Sequence, residues 1–145
     1  MAILIDIGID ELPKIKELWN LNERYHREKS KYFSSKDSNV CFQDRIESWR
    51  KAKEIKITKI ESEAELVGYC ISVIEKNIGN IESIFIKENL RRNGIGTKAI
   101  SEHIEWMNKM KCKKINVATV YGNEEAIEFY KKLNLLPKKI VFELK

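Results

Sequence analysis

Apolar residues recur along this chain with two periods, and each change of period marks a new element. Residues 2 to 8 alternate as a strand. Asp10 then opens a helix with Leu12, Ile15, Leu18, Trp19 and Leu21 on its apolar stripe, Pro13 being tolerated in the first turn. A polar segment around Ser34 to Asn39 leads to a second helix, Phe42 to Lys53. Strands follow at Ile55 to Ile60 and Glu65 to Ile74, then a turn at Asn77, Gly79 and Asn80, then a strand from Ile81 to Ile86. The second half predicts a helix over Ile95 to Met110, a strand over Lys114 to Val120, and a helix opened by Asn123 that carries Ala126, Ile127, Phe129, Tyr130 and Leu133. A last strand is expected at Lys139 to Leu144.

Strands that come first as hairpins and later alternate with helices imply a mixed α/β sheet with helices on both faces. The consecutive apolar residues Ile84, Phe85 and Ile86 read as a central strand buried on both sides. With 145 residues, no repeat, no low-complexity stretch and only two prolines, nothing marks a boundary, and one domain over 1–145 is expected.

Hydrophobic content of 43% with 34% charged residues describes a globular chain, and no apolar run approaches membrane-spanning length. The apolar start is broken by Asp6 and lacks a basic region before it, so it reads as a strand and no signal peptide, with a cytoplasmic location expected. Cys41, Cys70 and Cys112 are odd in number and widely spaced, without Cys-x-x-Cys or paired histidines. That argues against a disulfide framework and against a structural zinc, so no metal is expected and the thiols read as buried or inert. A net charge of +5 suits either nucleic acid or a polyphosphate ligand. No nucleic-acid motif accompanies the lysines, which disfavours the first.

Arg91-Arg92-Asn93-Gly94-Ile95-Gly96-Thr97 lies between the Ile81 to Ile86 strand and the Ile95 helix. Gly94 and Gly96 let the backbone turn tightly and approach an anion, and the first N–H groups of the helix have no intrahelical acceptor. Such a loop holds a pyrophosphate, with two arginines adding fixed positive charge. It is neither common nucleotide fingerprint. A P-loop requires Gly-Lys-Ser/Thr, and the dinucleotide pattern requires a third glycine where Ala99 stands.

The loop and the Asn123 helix together resemble the GNAT superfamily of N-acetyltransferases. Its loop pattern Arg/Gln-x-x-Gly-x-Gly/Ala is matched by Arg91, Gly94 and Gly96. Its later pattern Asn-x-x-Ala-x-x-Phe-Tyr, then Lys, is matched by Asn123, Ala126, Phe129, Tyr130 and Lys132. Asn134 and Leu135 stand where the family carries Gly-Phe, and asparagine tolerates the left-handed conformation that glycine supplies. The resemblance implies an acyl-CoA N-acyltransferase fold, with a central, mostly antiparallel sheet, and acetyl-CoA as the acyl donor. Such domains finish with two strands, and after Leu135 only ten residues remain. The final hairpin is therefore short, or it is completed by a partner chain in a homodimer.

The resemblance also assigns roles. Backbone groups of Ile84, Phe85 and Ile86 bond the pantetheine arm, because that strand splays from the next at a bulge; Arg91 to Thr97, including Arg92, Asn93 and Ile95, hold the pyrophosphate. Tyr130 is the general acid for the departing thiolate, since a phenol keeps its proton at neutral pH. Asn123 contacts the cofactor, and it is equally suited to cap its helix. Glu82, the acidic residue on the central strand, is the candidate base or a ligand for a cationic substrate. The acceptor pocket of such folds draws on the first two helices and the C-terminal strands, which offers Tyr25, His26, Tyr32, Phe33, Asp37 and Trp49; Tyr121 lines the same site or covers the core. The activity implied is transfer of acetyl from acetyl-CoA to a primary amine of a small molecule or protein, directly in a ternary complex. The alternative is a non-catalytic acyl-CoA-binding sensor or scaffold, which would need Arg91 to Gly96 but neither Tyr130 nor Glu82.

Overall fold

The computed structural model describes residues 1–34 and 41–145. Five strands form a single sheet in chain order: β1 (Ala2–Ile7), β2 (Glu54–Ser62), β3 (Glu65–Glu75), β4 (Ile78–Ile86) and β5 (Lys114–Val117). The first four are antiparallel neighbours and β5 runs parallel to β4. This is the mixed, mostly antiparallel sheet expected.

Two-residue turns with both residues in the left-handed region match the twist of a hairpin. Glu63 and Ala64 (φ 52° and 63°) join β2 to β3, and Lys76 and Asn77 (φ 49° and 65°) join β3 to β4. Asn77 is therefore a turn residue as expected, but Gly79 and Asn80 belong to β4, which starts three residues earlier than the sequence suggests. Gly79 is there for packing: a Cβ on it would lie 2.5 Å from Met107 Sδ.

The helices are α1 (Lys16–Lys29), α2 (Phe42–Arg50), α3 (Ile95–Lys109) and α4 (Glu124–Lys132). Asp10 does not cap α1. A 3-10 segment, Ile9–Ile15, precedes that helix without a side-chain cap, and the Asp10 carboxylate instead lies 3.4 Å from Arg50. Leu12, Ile15, Leu18 and Trp19 do face the core, whereas Leu21 turns to solvent. α2 ends at Arg50, short of Lys53, because Glu54 already begins β2.

Both sheet faces are covered. On one, the 3-10 segment, α1 and α2 pack Leu12, Ile15, Trp19, Phe42 and Trp49 over Ile57, Tyr69 and Phe85. On the other, α3 packs Ala99, Ile100 and Met107 over Ile60, Cys70 and Ile81, with Phe129 and Tyr130 of α4 at the margin. Each buried aliphatic or aromatic side chain contributes roughly 1.5–3 kcal/mol relative to exposure. Of the thiols, Cys70 is buried, Cys112 partly so and Cys41 exposed.

Helix α4 ends as its sequence suggested: Asn134 takes the left-handed conformation (φ 63°), and Leu135 N–H donates to the Tyr130 carbonyl at 3.0 Å. The expected strand at 139–144 is absent. Ile140, Val141, Phe142 and Leu144 are 63–99% exposed and pair with no described strand, and a strand persists only as part of a ladder. β5 likewise stops at Val117 instead of Val120. Among the described residues no helix is long and apolar enough to cross a membrane.

Candidate functional site

The site begins where two strands part. β5 pairs with β4 only from Ile78 to Ile81, while β4 continues to Ile86 bonded to β3 alone. The parting coincides with a β-bulge: Ile71 faces Ser83 and Ser72 faces Ile81, so Glu82 is an extra residue on β4. The bulge inverts the strand's phase. Ile81 packs toward α3, but Phe85, four residues on, packs under α1 and α2. The splayed, bulged strand expected for residues 84–86 is present, although Ile84 is only half-buried and the strand is not covered on both faces there.

Past a short 3-10 turn at Glu88–Leu90, the chain reaches the glycine loop. Arg92 (φ 68°) and Gly94 (φ 80°) adopt left-handed conformations, and Gly94 stands at the N-cap of α3 with no side-chain cap. The first bond of the helix runs from Lys98 N–H to the Gly94 carbonyl at 3.0 Å, leaving the N–H groups of residues 95–97 without intrahelical acceptors. Space above Gly94 is open. Gly96 lies against α4, where an added Cβ would sit 3.3 Å from the Phe129 ring.

A cleft of about 700 Å³ joins this loop to the parted strands. Arg91, Arg92, Gly94, Gly96 and Thr97 line one end, Ile84, Phe85 and Ile86 its floor, and Asn123 and Tyr130 its α4 wall. Tyr25 and His26 of α1 face them. Of the loop residues expected at the site, Asn93 and Ile95 do not line the cleft, Ile95 packing its side chain toward the α3 core. A free cluster of amide N–H groups, adjacent guanidinium groups and an unobstructed glycine suits a pyrophosphate, and the unpaired edge of β4 suits an amide-bearing arm. The residues present thus fit coenzyme A.

Arg91 is more constrained than the sequence implied. Its Nε donates to the Ile86 carbonyl at 2.7 Å, and its guanidinium lies 4.8 Å from the Tyr25 ring centre and 5.2 Å from that of Phe85. It ties the end of β4 to α1, and it leaves the Ile86 carbonyl already occupied.

Tyr130 borders the cleft with its ring 5.3 Å from Phe129. Burial, reinforced by Cys70, pushes its hydroxyl above the usual phenol range, so it holds its proton at neutral pH. Asn123 is buried, and its Oδ1 accepts from Ala126 N–H at 3.2 Å, the cap expected for α4. His26 is pushed below the ordinary histidine range by burial and by Arg91, which favours the neutral ring.

The remaining sequence candidates lie elsewhere. Glu82 does not line the cleft; it accepts from Trp49 Nε1 at 3.3 Å and lies 3.8 Å from Arg45 Nη2, under α2. Trp49 is a core residue, 1% exposed, and not a pocket wall. Tyr32 and Tyr121 stack in parallel at 6.1 Å on the exterior, Lys31 over both, and Phe33 is exposed beside them. Beside Gly122, Lys31 N–H donates to the Tyr121 carbonyl at 2.9 Å. Asp37 lies outside the described residues.

Sequence reasoning missed Asn22, which lines the cleft and is 3% exposed. Its signal was available: it stands four residues after Leu18, a polar residue on an apolar stripe.

Residues 15–135 match the model of the Acetyltransferase (GNAT) family. The chain belongs to this family. An uncharacterized N-acetyltransferase of Methanocaldococcus jannaschii is 38% identical over 72 residues, 49% of this chain and 32% of that one, so the match spans about a third of the relative's length. Among solved structures, an aminoglycoside acetyltransferase from an uncultured soil metagenomic sample, in complex with trehalose, superposes with a TM-score of 0.71 at 17% identity, over 99% of this chain and 94% of that one. The aminoglycoside N-acetyltransferase AAC(6')-Iy in complex with CoA gives 0.72 at 13% identity, over 100% and 95%. At such identities the likeness is one of fold, and it is the GNAT fold that the glycine loop and the Asn123 helix indicated.

Proposed function

We propose that this single-domain protein is an N-acetyltransferase that moves an acetyl group from acetyl-CoA to a primary amine, directly within a ternary complex. The observation that carries this reading is the convergence, in one cleft, of the uncapped N-terminus of α3, the unpaired edge of β4 beyond the bulge, and Tyr130. Acetyl-CoA supplies an activated acyl carbon as its thioester. The N–H groups of residues 95–97 and Arg92 hold the pyrophosphate; Ile84, on the open edge of β4, presents main-chain groups to the arm. Arg91 fixes the loop to β4 and adds charge from the side. Asn123 caps α4 and so sets the height of Tyr130, which protonates the departing thiolate. Tyr25 and His26 border the acceptor end of the cleft. Glu82, behind the bulge and outside the cleft lining, draws the cationic amine by its charge and takes its proton through water.

The test is turnover by purified protein with acetyl-CoA against a panel of amines, aminoglycosides, peptides and lysine derivatives among them, following release of the free thiol. Amine-dependent thiol release supports the reading. Tight acetyl-CoA binding with no turnover across the panel would instead favour an acyl-CoA sensor.

A further inference from the structure

The β4 bulge is not left to the strand alone. Asn22 of α1 donates through Nδ2 to Tyr69 Oη at 3.1 Å and to Ser83 Oγ at 3.2 Å, and the two hydroxyls lie 2.8 Å apart. All three residues are buried: Asn22 is 3%, Tyr69 0% and Ser83 8% exposed. Ser83 is the residue directly after the extra position, and Tyr69 is on β3 opposite Phe85. In an unbulged strand, Ile81, Ser83 and Phe85 would share a face, because side chains alternate with a period of two. The triad therefore closes only in the bulged register. A slip that removed the bulge would carry the Ser83 hydroxyl away from α1 to the α3 side of the sheet, opposite Cys70, and would leave Asn22 and Tyr69 with one partner fewer.

We infer that the Asn22–Tyr69–Ser83 triad is a positioning device: it locks the bulge that turns residues 84–86 away from β5 and so holds open the β4 edge that receives the acyl donor. None of the three takes part in the chemistry. Asn22 reaches the cleft wall and Tyr69 and Ser83 act from beneath it. This rests on the acyl-donor reading of the cleft, and it extends that reading to residues outside the glycine loop and α4.

The experiment measures acetyl-CoA affinity by calorimetry and steady-state kinetics for the parent, Ser83→Ala, Ser83→Thr and Tyr69→Phe. Ser83→Ala removes the hydroxyl on the bulge, and Tyr69→Phe removes one bond while keeping the ring. Each is expected to weaken acetyl-CoA binding and raise its KM by about tenfold, the order set by one buried hydrogen bond, with a smaller change in kcat and in the KM for the amine. Ser83→Thr restores the hydroxyl and should restore most of the affinity. Folded variants that bind acetyl-CoA as the parent does would overturn the inference while leaving the donor site intact. A parent that fails to bind acetyl-CoA at all would instead remove the reading beneath it. Should the variants not fold, hydrogen exchange on the parent decides: the amides of Ser83 and Phe85, which face β3, are expected to exchange as slowly as those of central β3, and rapid exchange there would count against a locked bulge.

Discussion

Trp49 and Glu82 are joined by a hydrogen bond of 3.3 Å from the indole Nε1 to the carboxylate Oε1, across the boundary between α2 and the bulge of β4. The same oxygen lies 3.8 Å from Arg45 Nη2. Glu82 is thus a half-buried anion with one neutral donor and one distant cation, facing the α2 side of the sheet while the splayed edge of β4 opens into the cleft. An arriving ammonium group can compete with Arg45 for it, since an incompletely buried pair at that distance is worth about 1 kcal/mol or less.

Glu82→Gln is expected to fold, because the amide oxygen still accepts from Trp49. If the carboxylate draws the ammonium and takes its proton, activity should fall most at low pH, where free amine is scarce, and acetyl-CoA affinity should persist. A pH-rate profile superimposable on that of the parent would exclude Glu82 as the base. His26 would then be the next group to change, since it is neutral and borders the cleft.

Tyr130→Phe keeps the ring against Phe129 and removes the hydroxyl. Turnover is expected to drop by about tenfold to a thousandfold with acetyl-CoA affinity nearly unchanged, as for loss of a general acid. Equal turnover under conditions where chemistry limits the rate would leave Tyr130 a packing residue only.

Gly94→Asp tests the anion site. Gly94 has φ 80°, open space above it and a position at the start of α3, so a carboxylate there meets strain in the backbone and occupies the place of the incoming phosphates. Aspartate is among the residues that tolerate this conformation, so the fold should survive. Acetyl-CoA affinity is expected to fall by at least about tenfold, a loss of roughly 1.4 kcal/mol. Calorimetry giving the parent's affinity in a folded variant would move the pyrophosphate elsewhere.

The glycine loop and α4 were legible because their signals are local: two glycines before an apolar stripe, and an asparagine ahead of two glutamates that cap and charge the first turn. The bulge was not, since it depends on which face of β4 each neighbour covers, and a run such as Ile81-Glu82-Ser83-Ile84-Phe85 fits either phase. For the same reason Glu82 could be placed on its strand but not on its side of the sheet. Gly79 misled because a glycine near a turn reads as punctuation, whereas here a sulfur atom from α3 occupies the space of its Cβ. Trp49 and the exposed tyrosines show the limit of aromatic content as a guide: burial separates a core ring from a surface pair, and sequence spacing does not. Residues 139–144 carry strand-like composition without a ladder to join.

The last prediction concerns stability and lies on the α3 side of the sheet. His103 is 0% exposed, with Nε2 2.9 Å from Thr58 Oγ1 and Nδ1 2.7 Å from Ser72 Oγ. Thr58 donates its own proton to Asp6 at 2.7 Å, so Nε2 must carry the hydrogen and Nδ1 accepts from Ser72. Both ring nitrogens are satisfied in the neutral form, and a second proton would leave Ser72 facing a donor it cannot serve without turning its own. Burial first, then Lys56, lowers the His103 pKa to about 3 despite the opposing pull of Asp6. An unfolded histidine titrates near 6.5, so between pH 6.5 and 3 the unfolded chain binds a proton that the folded one refuses. Stability contributed by His103 is therefore fully present above pH 6.5 and lost as the pH falls, at up to about 1.4 kcal/mol per unit. His26, also lowered, adds with the same sign, and Glu23, whose carboxyl is raised by burial, opposes it. Denaturant midpoints for the parent should decline from pH 7 to pH 4.5 by an amount equivalent to about 2–3 kcal/mol. His103→Gln can offer one donor and one acceptor but cannot titrate, so it should start less stable and decline less. Parallel declines in the two proteins would show that His103 does not set the acid limit of this fold.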